Sequence, residues 1–277
     1  ETTQFKKIDI LPSMNLTYIV NPITNFRLAY SQTLNRPEFR ELAPVAYYDF
    51  DRLETVFGNP NLQRALIKNY DARVEVFPAP GEVVAVSYFH KSLSSPIEEV
   101  IDVSSTPVRS YVNSNRANNR GWEIEFRKSL DFLGGYFSNF MLYGNYTRVT
   151  SEVEVLDEVT PGVFQVSRRP LQGQSPYMVN LGFFFTEPTT RTSVSIFYNK
   201  AGRRIDAVGS AISEPDVYEE PRDLVDITVS QPLFNMFEVK FAVKNLNGRE
   251  QFLSKRDQIY RSNDTGTSYS LSLSATL

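Results

Sequence analysis

The sequence predicts an all-β protein, an antiparallel transmembrane β-barrel meander of about eleven strands. Three observations support this: eleven segments alternate like strands, the connections between them are short and long by turns, and several segments approach the ~9–11 residues that a tilted membrane strand needs. The predicted strands are Ser13–Val20, Asn25–Gln32, Lys68–Phe77, Glu82–His90, Gly121–Lys128, Tyr136–Thr147, Tyr177–Thr186, Thr192–Tyr198, Leu224–Gln231, Glu238–Asn245 and Thr267–Thr276.

The connections alternate strictly in length. The short ones are 21–24, 78–81, 129–135, 187–191 and 232–237, and the long ones are 33–67, 91–120, 148–176, 199–223 and 246–266. Turns as short as Pro78-Ala79-Pro80-Gly81 allow only hairpins, so each strand is expected to pair antiparallel with its sequence neighbours. A soluble sandwich has no reason to place every long loop at one end, whereas an outer-membrane barrel has long extracellular loops and short periplasmic turns.

Each predicted strand has one apolar and one polar face, because side chains alternate with period 2. A half-exposed soluble sheet would show the same alternation, but strand length and loop asymmetry favour a membrane barrel. The residues expected to face lipid are Phe26, Leu28, Val74, Val76, Ile124, Leu142, Leu181, Ile227 and Leu271. Those expected to face the lumen are Arg27, Asp71, Arg73, Glu125, Lys240 and Lys244.

Composition narrows the function classes. No apolar run approaches the ~18 residues of a membrane helix. Twenty Phe and fifteen Tyr against one Trp fit the aromatic girdles of a barrel. Cysteine is absent, so the chain offers no disulfide or thiolate chemistry, and the net charge of -3 gives no electrostatic footprint for nucleic acid.

Ordered motifs add a family resemblance across nearly the whole chain. They are Leu11-Pro12-Ser13-Met14-Asn15-Leu16, Arg27-Leu28-Ala29-Tyr30-Ser31-Gln32-Thr33, Arg36-Pro37-Glu38-Phe39-Arg40-Glu41-Leu42, Gly58-Asn59-Pro60-Asn61-Leu62, Asn69-Tyr70-Asp71, Phe89-His90-Lys91, Pro96-Ile97-Glu98, Gly121-Trp122-Glu123-Ile124-Glu125, Gln172-Gly173-Gln174-Ser175-Pro176-Tyr177 and Tyr198-Asn199. This set resembles the C-terminal half of the barrel of TonB-dependent outer-membrane receptors, in the type with an N-terminal carboxypeptidase-regulatory-like module.

The resemblance implies a 22-stranded barrel with an N-terminal plug, which imports a scarce ligand such as a siderophore, corrinoid, glycan or peptide. Residues 1–277 would be the C-terminal part of that barrel, without the plug and the N-terminal strands. Its implied partners are outer-membrane lipid, the missing barrel half and plug, the TonB complex and the imported ligand. The implied location is the outer membrane of a Gram-negative cell.

Other functions have weaker support in the residues. A passive porin or scaffold barrel would need an even strand number, and eleven is odd. An outer-membrane enzyme would need a base paired with a nucleophile, and His90 is the only histidine. A soluble carbohydrate-binding β protein would not need its long loops at one end.

For the charged groups in the long connections, a structural role is favoured over a binding role. The acidic groups Glu98, Glu99 and Asp102, and Glu152, Glu154, Asp157 and Glu158, have no calcium-loop spacing and are interpreted as solvated loops. The pairs Arg168-Arg169 and Arg203-Arg204 could attract an anionic ligand or lipopolysaccharide phosphates, but pairing with carboxylates on the next strand is favoured. No cofactor or metal site is predicted. Ligand contact is expected in the outer loops and the upper lumen, and the candidates are Arg36, Arg40, Tyr47, Tyr48, Arg169 and Arg203.

Overall fold

The computed structural model of the chain describes residues 8–103, 107–160, 163–209, 215–234 and 236–275. These residues form one sheet of twelve strands and a second of eight. In chain order the strands are β1 Ser13–Asn21, β2 Thr24–Asn35, β3 Ala46–Asp49, β4 Glu54–Phe57, β5 Ala65–Val76, β6 Val83–Ser94, β7 Ile97–Val103, β8 Pro107–Asn113, β9 Arg116–Ser129, β10 Phe140–Thr160, β11 Val163–Arg169, β12 Tyr177–Thr186, β13 Ser193–Ala201, β14 Arg204–Gly209, β15 Val217–Glu219, β16 Arg222–Leu233, β17 Phe237–Lys244, β18 Gln251–Lys255, β19 Gln258–Asn263 and β20 Ser268–Ala275.

The larger sheet, which we call the barrel sheet, is an antiparallel meander. Its path is β1-β2-β5-β6-β9-β10-β12-β13-β16-β17-β20, and β11 pairs with the far end of β10. All of its strand pairs are antiparallel. The eleven strands of the path correspond in order to the eleven predicted strands, so the predicted fold is confirmed.

Some predicted strand ends are wrong. Tyr136 was expected to begin a strand, but it lies in a short 3₁₀ helix, Gly135–Asn139, and β10 begins at Phe140. The reason is that Gly134 and Gly135 both have positive φ, 74° and 56°, which turns the chain before it can become extended. At the other end of the sheet, Thr276 lies outside the described residues.

Strand register separates the side chains of the barrel sheet into two faces. Phe26 lies opposite Val74, Val74 opposite Val86, and Val86 opposite Ile124, and directly paired residues share a face. The apolar face contains all residues predicted to face lipid: Phe26, Leu28, Val74, Val76, Ile124, Leu142, Leu181, Ile227 and Leu271. The polar face contains all those predicted for the lumen: Arg27, Asp71, Arg73, Glu125, Lys240 and Lys244.

Charges on the polar face pair across strands, as expected. Arg73 donates from Nε to Glu75 Oε1 at 2.8 Å and from Nη2 to Glu125 Oε2 at 2.7 Å. Arg27 donates from Nε to the other oxygen of Glu75 at 2.7 Å. The charged side chains of β2, β5 and β9 therefore neutralise one another on the polar face.

The long connections form the second sheet, which we call the loop sheet. Its order is β19-β18-β15-β14-β7-β8-β4-β3. Four of the five long connections each contribute one hairpin: β3–β4, β7–β8, β14–β15 and β18–β19. All four lie at the same end of the barrel sheet, because every second connection of an antiparallel meander does so.

The loop sheet corrects two sequence-based expectations. Its eight strands lie in segments that were predicted as loops. Two of its pairs are also parallel: β4 with β8, where Thr55 is opposite Val108, and β7 with β14, where Val100 is opposite Val208. The expectation that all strands pair antiparallel with sequence neighbours is therefore wrong outside the barrel sheet. The reason is geometric. All four hairpins leave the barrel sheet at the same end, so their first strands run in one direction and their second strands in the other. β7 and β14 are both first strands, and β4 and β8 are both second strands, so each of these pairs is parallel.

Helical structure is short. The helix α1, Phe39–Leu42, is held by a capping box in which the backbone N–H of Glu38 donates to the Glu41 carboxylate at 2.8 Å. The 3₁₀ helices are Asp131–Leu133 and Gly135–Asn139, in the connection before β10. Of the helices in the described ranges, none is long and apolar enough to cross a membrane.

Candidate functional site

The loop sheet rolls up, because strands near its two ends meet through side chains. β19 is the terminal strand at one end, and β4 is next to the terminal strand at the other. The Tyr260 hydroxyl donates to Glu54 Oε1 at 3.0 Å, and Arg261 Nη1 donates to the carbonyl oxygen of Arg52 at 3.1 Å. We call this junction of residues 51–54 with 260–261 the seam. It joins the first long connection to the last.

Arg109 of β8 lies at the centre of the loop sheet, and its side chain is 0% exposed. Its Nε donates to Glu54 Oε2 at 2.7 Å, and its Nη1 donates to Glu99 Oε2 at 2.8 Å. Its Nη2 lies 3.4 Å from Asp206 Oδ2. These carboxylates belong to three different hairpins, and Glu54 also accepts from Tyr260 of the fourth. One buried cation therefore connects all four loop hairpins.

The charges in this cluster maintain the protonation states on which its hydrogen bonds depend. Burial by itself would lower the pKa of Arg109, but the carboxylates of Glu54, Glu99 and Asp206 raise that pKa above its ordinary value. Burial raises the pKa of Tyr260, and the charge of Glu54 raises it further. Arg109 therefore stays charged, and the Tyr260 hydroxyl keeps the proton that it donates across the seam.

A second buried carboxylate, Glu98, attaches the long connection 148–176, which contributes no hairpin to the loop sheet. Arg169 donates from Nη1 to Glu98 Oε1 at 2.8 Å and from Nη2 to Oε2 at 2.9 Å. The Gln172 backbone N–H donates to Oε1 at 3.0 Å, and the Ser114 hydroxyl donates to Oε2. Burial raises the pKa of Glu98, but these donors, Arg169 foremost, lower it below its ordinary value. The carboxylate is therefore ionised although its side chain is fully buried.

Two apolar clusters fill the loop sheet around these charges. The first consists of Ile101, Ala207, Val217 and Leu253, with Tyr260 packed against it. The second consists of Val56, Leu62 and Tyr111, with Leu42, Tyr47 and Ile97 packed against it. Each cluster joins residues from different long connections, so neighbouring loops are packed against one another.

The seam borders a cavity of ≈ 530 Å³. Asp51, Arg52 and Leu53 line one side, and Gln251, Arg261 and Asn263 line the other. The lining combines guanidinium groups, amides and a carboxylate, which suits a polar ligand with several hydrogen-bond acceptors. A smaller cavity of ≈ 250 Å³ lies between β10 and β14, lined in part by Arg148, Pro176, Arg203 and Tyr218.

The first four predicted ligand residues lie in the connection between β2 and β5. Arg36 is exposed, with Nη2 3.5 Å from Asp9 Oδ2. The guanidinium of Arg40 lies 5.9 Å from the ring centroid of Tyr47, so these two are brought together. Tyr48 is exposed, and its ring centroid lies 5.0 Å from that of Phe50.

The other two predicted residues are held in ion pairs. Arg169 is bound to Glu98, as described above. Arg203 lies with Nε 2.8 Å from Glu220 Oε1, and its guanidinium covers the ring of Tyr218 at 4.2 Å. Both guanidinium groups therefore have an acidic partner among the long connections.

The basic pairs meet carboxylates on neighbouring strands, as predicted. Arg168 lies opposite Glu154 in the β10–β11 register and pairs with it at 3.3 Å. Arg204 lies opposite Glu219 in the β14–β15 register and pairs with it at 2.6 Å. The structural interpretation of these two arginines is confirmed.

The acidic groups behave differently from the sequence-based interpretation. Glu98 is fully buried, and Glu99 pairs with Arg52 at 3.0 Å and with Arg109, so a solvated acidic loop is wrong for both. Glu152 is half-exposed and pairs with Arg168 at 3.2 Å. The side chains of Asp102, Asp157 and Glu158 lie outside the described residues. Within the described ranges, no group of three or more His, Asp or Glu residues is placed to hold a metal ion.

Sequence reasoning missed Arg52, Arg109, Tyr260 and Arg261. A local signal existed for Arg109, since Pro107-Val108-Arg109-Ser110-Tyr111-Val112-Asn113 alternates like a strand. The partners of these residues had no local signal, because Tyr260 meets Glu54 from 206 residues away.

Comparison with known families gives a match over most of the chain. The family model described as "TonB dependent receptor-like, beta-barrel" matches residues 3–246. No curated protein matches the chain.

Solved structures share the fold of the barrel sheet. A mutant of the ferric enterobactin receptor PfeA from Pseudomonas aeruginosa superposes with a TM-score of 0.62 at 14% identity, over 96% of this chain and 40% of that one. The siderophore receptor PirA from Acinetobacter baumannii gives 0.62 at 15% identity, with the same coverage. The FrpB iron transporter from Neisseria meningitidis gives 0.60 at 11% identity, over 96% and 39%. The chain therefore spans about 40% of the length of these proteins.

Proposed function

Because the chain belongs to the TonB-dependent receptor-like β-barrel family, we propose that it is the C-terminal part of an outer-membrane receptor that imports a scarce ligand with TonB-coupled energy. The family match over residues 3–246 carries this proposal. The family and the structural neighbours are receptors and transporters, not enzymes. The meander, with its long connections gathered at one end, agrees with that role.

The two faces of the barrel sheet give the proposed orientation. The apolar face contacts lipid, because exposed side chains such as Val74, Ile124 and Leu271 are stable only against an apolar surrounding. The polar face then lines a hydrated lumen, where Arg27 and Arg73 pair with carboxylates. The loop sheet lies on the extracellular side.

The rest of the receptor completes the barrel in this proposal. Among the described strands, β1 and β20 each pair on one side only. Unpaired backbone groups in hydrocarbon cost several kcal/mol each, so both edges need partners. N-terminal strands of the same barrel supply them, and a plug domain occupies the lumen and couples to TonB.

Ligand contact is proposed at the loop sheet. Tyr48 and Arg36 are exposed, and Arg40 stacks with Tyr47. We assign these four to direct contact with the ligand. Arg169 and Arg203 hold the surrounding loops through Glu98 and Glu220, and in this proposal they complete the ligand site.

The ligand class remains among siderophores, corrinoids, glycans and peptides. The lining of the seam cavity contains guanidinium and amide groups, which favour a ligand rich in oxygen acceptors. Of the three solved structures with this fold, one is named as a ferric enterobactin receptor, one as a siderophore receptor and one as an iron transporter. Their identity to this chain is 11–15%, so they support the fold.

The test is uptake by cells that produce the complete receptor. Labelled ferric siderophores, cobalamin, oligosaccharides and peptides are offered to cells with and without a functional TonB. We expect one class to accumulate only where TonB is present. Equal accumulation without TonB would overturn the proposal and favour a passive pore.

A variant series then tests the ligand residues. Arg36→Ala, Arg40→Ala, Tyr47→Ala and Tyr48→Ala are combined and compared with Lys240→Ala and Lys244→Ala on the polar face. We expect uptake of the identified ligand to fall in the loop variant alone. Unchanged uptake in the loop variant would remove these residues from the site.

A further inference from the structure

Four basic side chains gather on the apolar face of the barrel sheet, toward the long connections. They are Lys68 of β5, His90 of β6, Arg120 of β9 and Arg148 of β10, and we call them the outer basic patch. Register fixes the face, because Arg148 is opposite Trp122, and Trp122 lies two residues from Ile124 on β9. The patch therefore shares a face with the proposed lipid-contacting residues.

The patch is continuous across four adjacent strands. Arg120 is directly opposite His90 and also opposite Thr150, which puts Arg148 on its diagonal. His90 is opposite Tyr70, which puts Lys68 on the next diagonal. Direct pairs lie ~4.5–5.5 Å apart and diagonal pairs ~7–8 Å. The like charges of Arg120 and Arg148, on adjacent strands, repel one another unless an anion lies between them.

The cations of the patch have no acidic partner. Within the described ranges, the side chains of Lys68, Arg120 and Arg148 make no hydrogen bond or ion pair. On the same face, Lys200 lies 3.0 Å from Asp223 Oδ1. The carboxylate that follows on β10, Glu152, is held by Arg168 at 3.2 Å. Among the described residues, Arg116 on the same face and Lys240 on the polar face also make no ion pair, so the outer basic patch is distinguished by the grouping of its cations on adjacent strands.

Aromatic rings surround the patch on the same face. Trp122, the only tryptophan, is 56% exposed, and its ring centroid lies 4.7 Å from that of Tyr88. Tyr70 lies between Tyr30 and His90, at 5.1 and 6.1 Å. Tyr and Trp with one face in hydrocarbon and a polar edge in water mark the interface of a membrane. The patch is thus at the level of lipid headgroups.

We propose that the outer basic patch binds the phosphate groups of a phosphorylated glycolipid in the outer leaflet of the membrane. Arginine and lysine bind phosphate through charge-assisted hydrogen bonds. The patch extends over roughly 15–20 Å from Lys68 to Arg148 by the spacings of paired residues. One phosphate is too small to reach all of it, whereas two phosphates on the ends of a disaccharide headgroup reach both halves.

The proposal rests on the membrane orientation given under the proposed function and is independent of the imported ligand. A receptor that imports nothing would still retain this lipid if the orientation is right. Failure of uptake and failure of lipid binding are therefore separate results.

The test uses the complete receptor, purified in detergent, with diphosphorylated lipid A as the probe. Lys68→Gln, Arg120→Gln and Arg148→Gln are combined, and bound lipid is measured by native mass spectrometry. At about 1 kcal/mol for each basic residue near an anionic surface, binding should weaken on the order of 100-fold. The matched control is Lys240→Gln with Lys244→Gln, two exposed cations on the polar face, which should bind as the unmodified receptor does.

Further arms identify the source of the phosphate. Lipid A without its phosphates should bind weakly to both receptors, and phosphatidylglycerol should not replace the diphosphorylated probe. Equal binding of phosphatidylglycerol, displacement by inorganic phosphate at the same concentration, or an equal loss in the control variant would each overturn the proposal. The heat-dependent shift in electrophoretic mobility checks that the barrel is folded. If the triple variant is misfolded, Arg120→Gln and Arg148→Gln are tested singly, and unchanged binding in both would also overturn it.

Discussion

The barrel sheet and the loop sheet differ in how their strands are paired and in what their side chains pack against. In the barrel sheet, strands join neighbours in the predicted order, and large apolar side chains such as Leu271 remain exposed on one face. In the loop sheet, strands join across distant connections, and the interior holds buried charges such as Arg109 and Glu98. The first sheet depends on its surroundings for stability, whereas the second carries its own interior. The difference implies that the two sheets respond separately to mutation.

The largest effect should come from Arg109→Met. Glu54, Glu99 and Asp206 then lose their shared cation. Removing one partner of a buried charge network costs about 3–5 kcal/mol. Hydrogen exchange in the complete receptor should show that protection is lost in β4, β8 and β14.

The barrel sheet gives the control for that substitution. Arg116→Met removes an exposed arginine of β9, and exposed positions usually change stability by less than about 0.5 kcal/mol. Equal loss of protection in the two variants, or loss that spreads to β16 and β17 in the Arg109 variant, would mean that the sheets are not independent.

A smaller effect is expected for the ion pair between Glu98 and Arg169. Glu98→Gln and Arg169→Gln, singly and together, form a double-mutant cycle. Residues in direct contact couple by roughly 0.5–3 kcal/mol, and the bidentate geometry at 2.8 and 2.9 Å favours the upper part of that range. The readout is the exchange of β7 and β11. Additive single effects would show that the pair does not attach the connection 148–176.

Acid should weaken the same contact. The pKa of Glu98 is lower in the folded state than its ordinary value of 4.5. A depressed carboxyl pKa contributes stability that is complete above the ordinary value and lost as pH falls below it through the folded pKa. We therefore expect the protection factors of β7 and β11, which are corrected for the intrinsic pH dependence of exchange, to fall as the pH falls below about 4.5 in the wild type. The same fall in Glu98→Gln would assign the acid sensitivity to other groups.

The smallest effect should come from the seam. Tyr260→Phe removes the hydrogen bond to Glu54 and keeps the ring in the apolar cluster. A single hydrogen bond contributes about 1 kcal/mol, and the loss should be seen as faster exchange in β19. Protection that stays at the wild-type level would show that the seam is held by packing alone.

How much the sequence could predict differs between the two sheets. Barrel strands such as β5 and β9 have one apolar and one polar face, so the alternation of apolar and polar side chains identifies them locally. The short turns then determine which strands pair. Strands such as β4 and β8 also alternate, but Thr55 is paired with Val108, and no turn connects them. The pairing follows from the direction in which whole hairpins leave the barrel sheet, which local pattern does not contain.

The candidate site shows the same limit. Arg169 and Arg203 were recognised as charged residues near strand ends, yet their partners Glu98 and Glu220 could not be assigned. The sequence separation between Glu98 and Arg169 is 71 residues, with strands of both sheets between them. The sequence shows where the arginines lie along the chain. Which carboxylate pairs with each arginine is determined by the three-dimensional packing of the loops.

The central claim is that one face of the barrel sheet contacts lipid and the other lines a hydrated lumen, and cysteine labelling tests it most directly. The chain has no cysteine of its own. Single cysteines replace Val74 and Phe241 on the apolar face, and Asp71 and Lys240 on the polar face, in the complete receptor in a lipid bilayer. A water-soluble maleimide should label the cysteines at 71 and 240, and those at 74 and 241 should be protected until detergent is added. Rapid labelling at 74 and 241 with protection at 71 and 240 would contradict it.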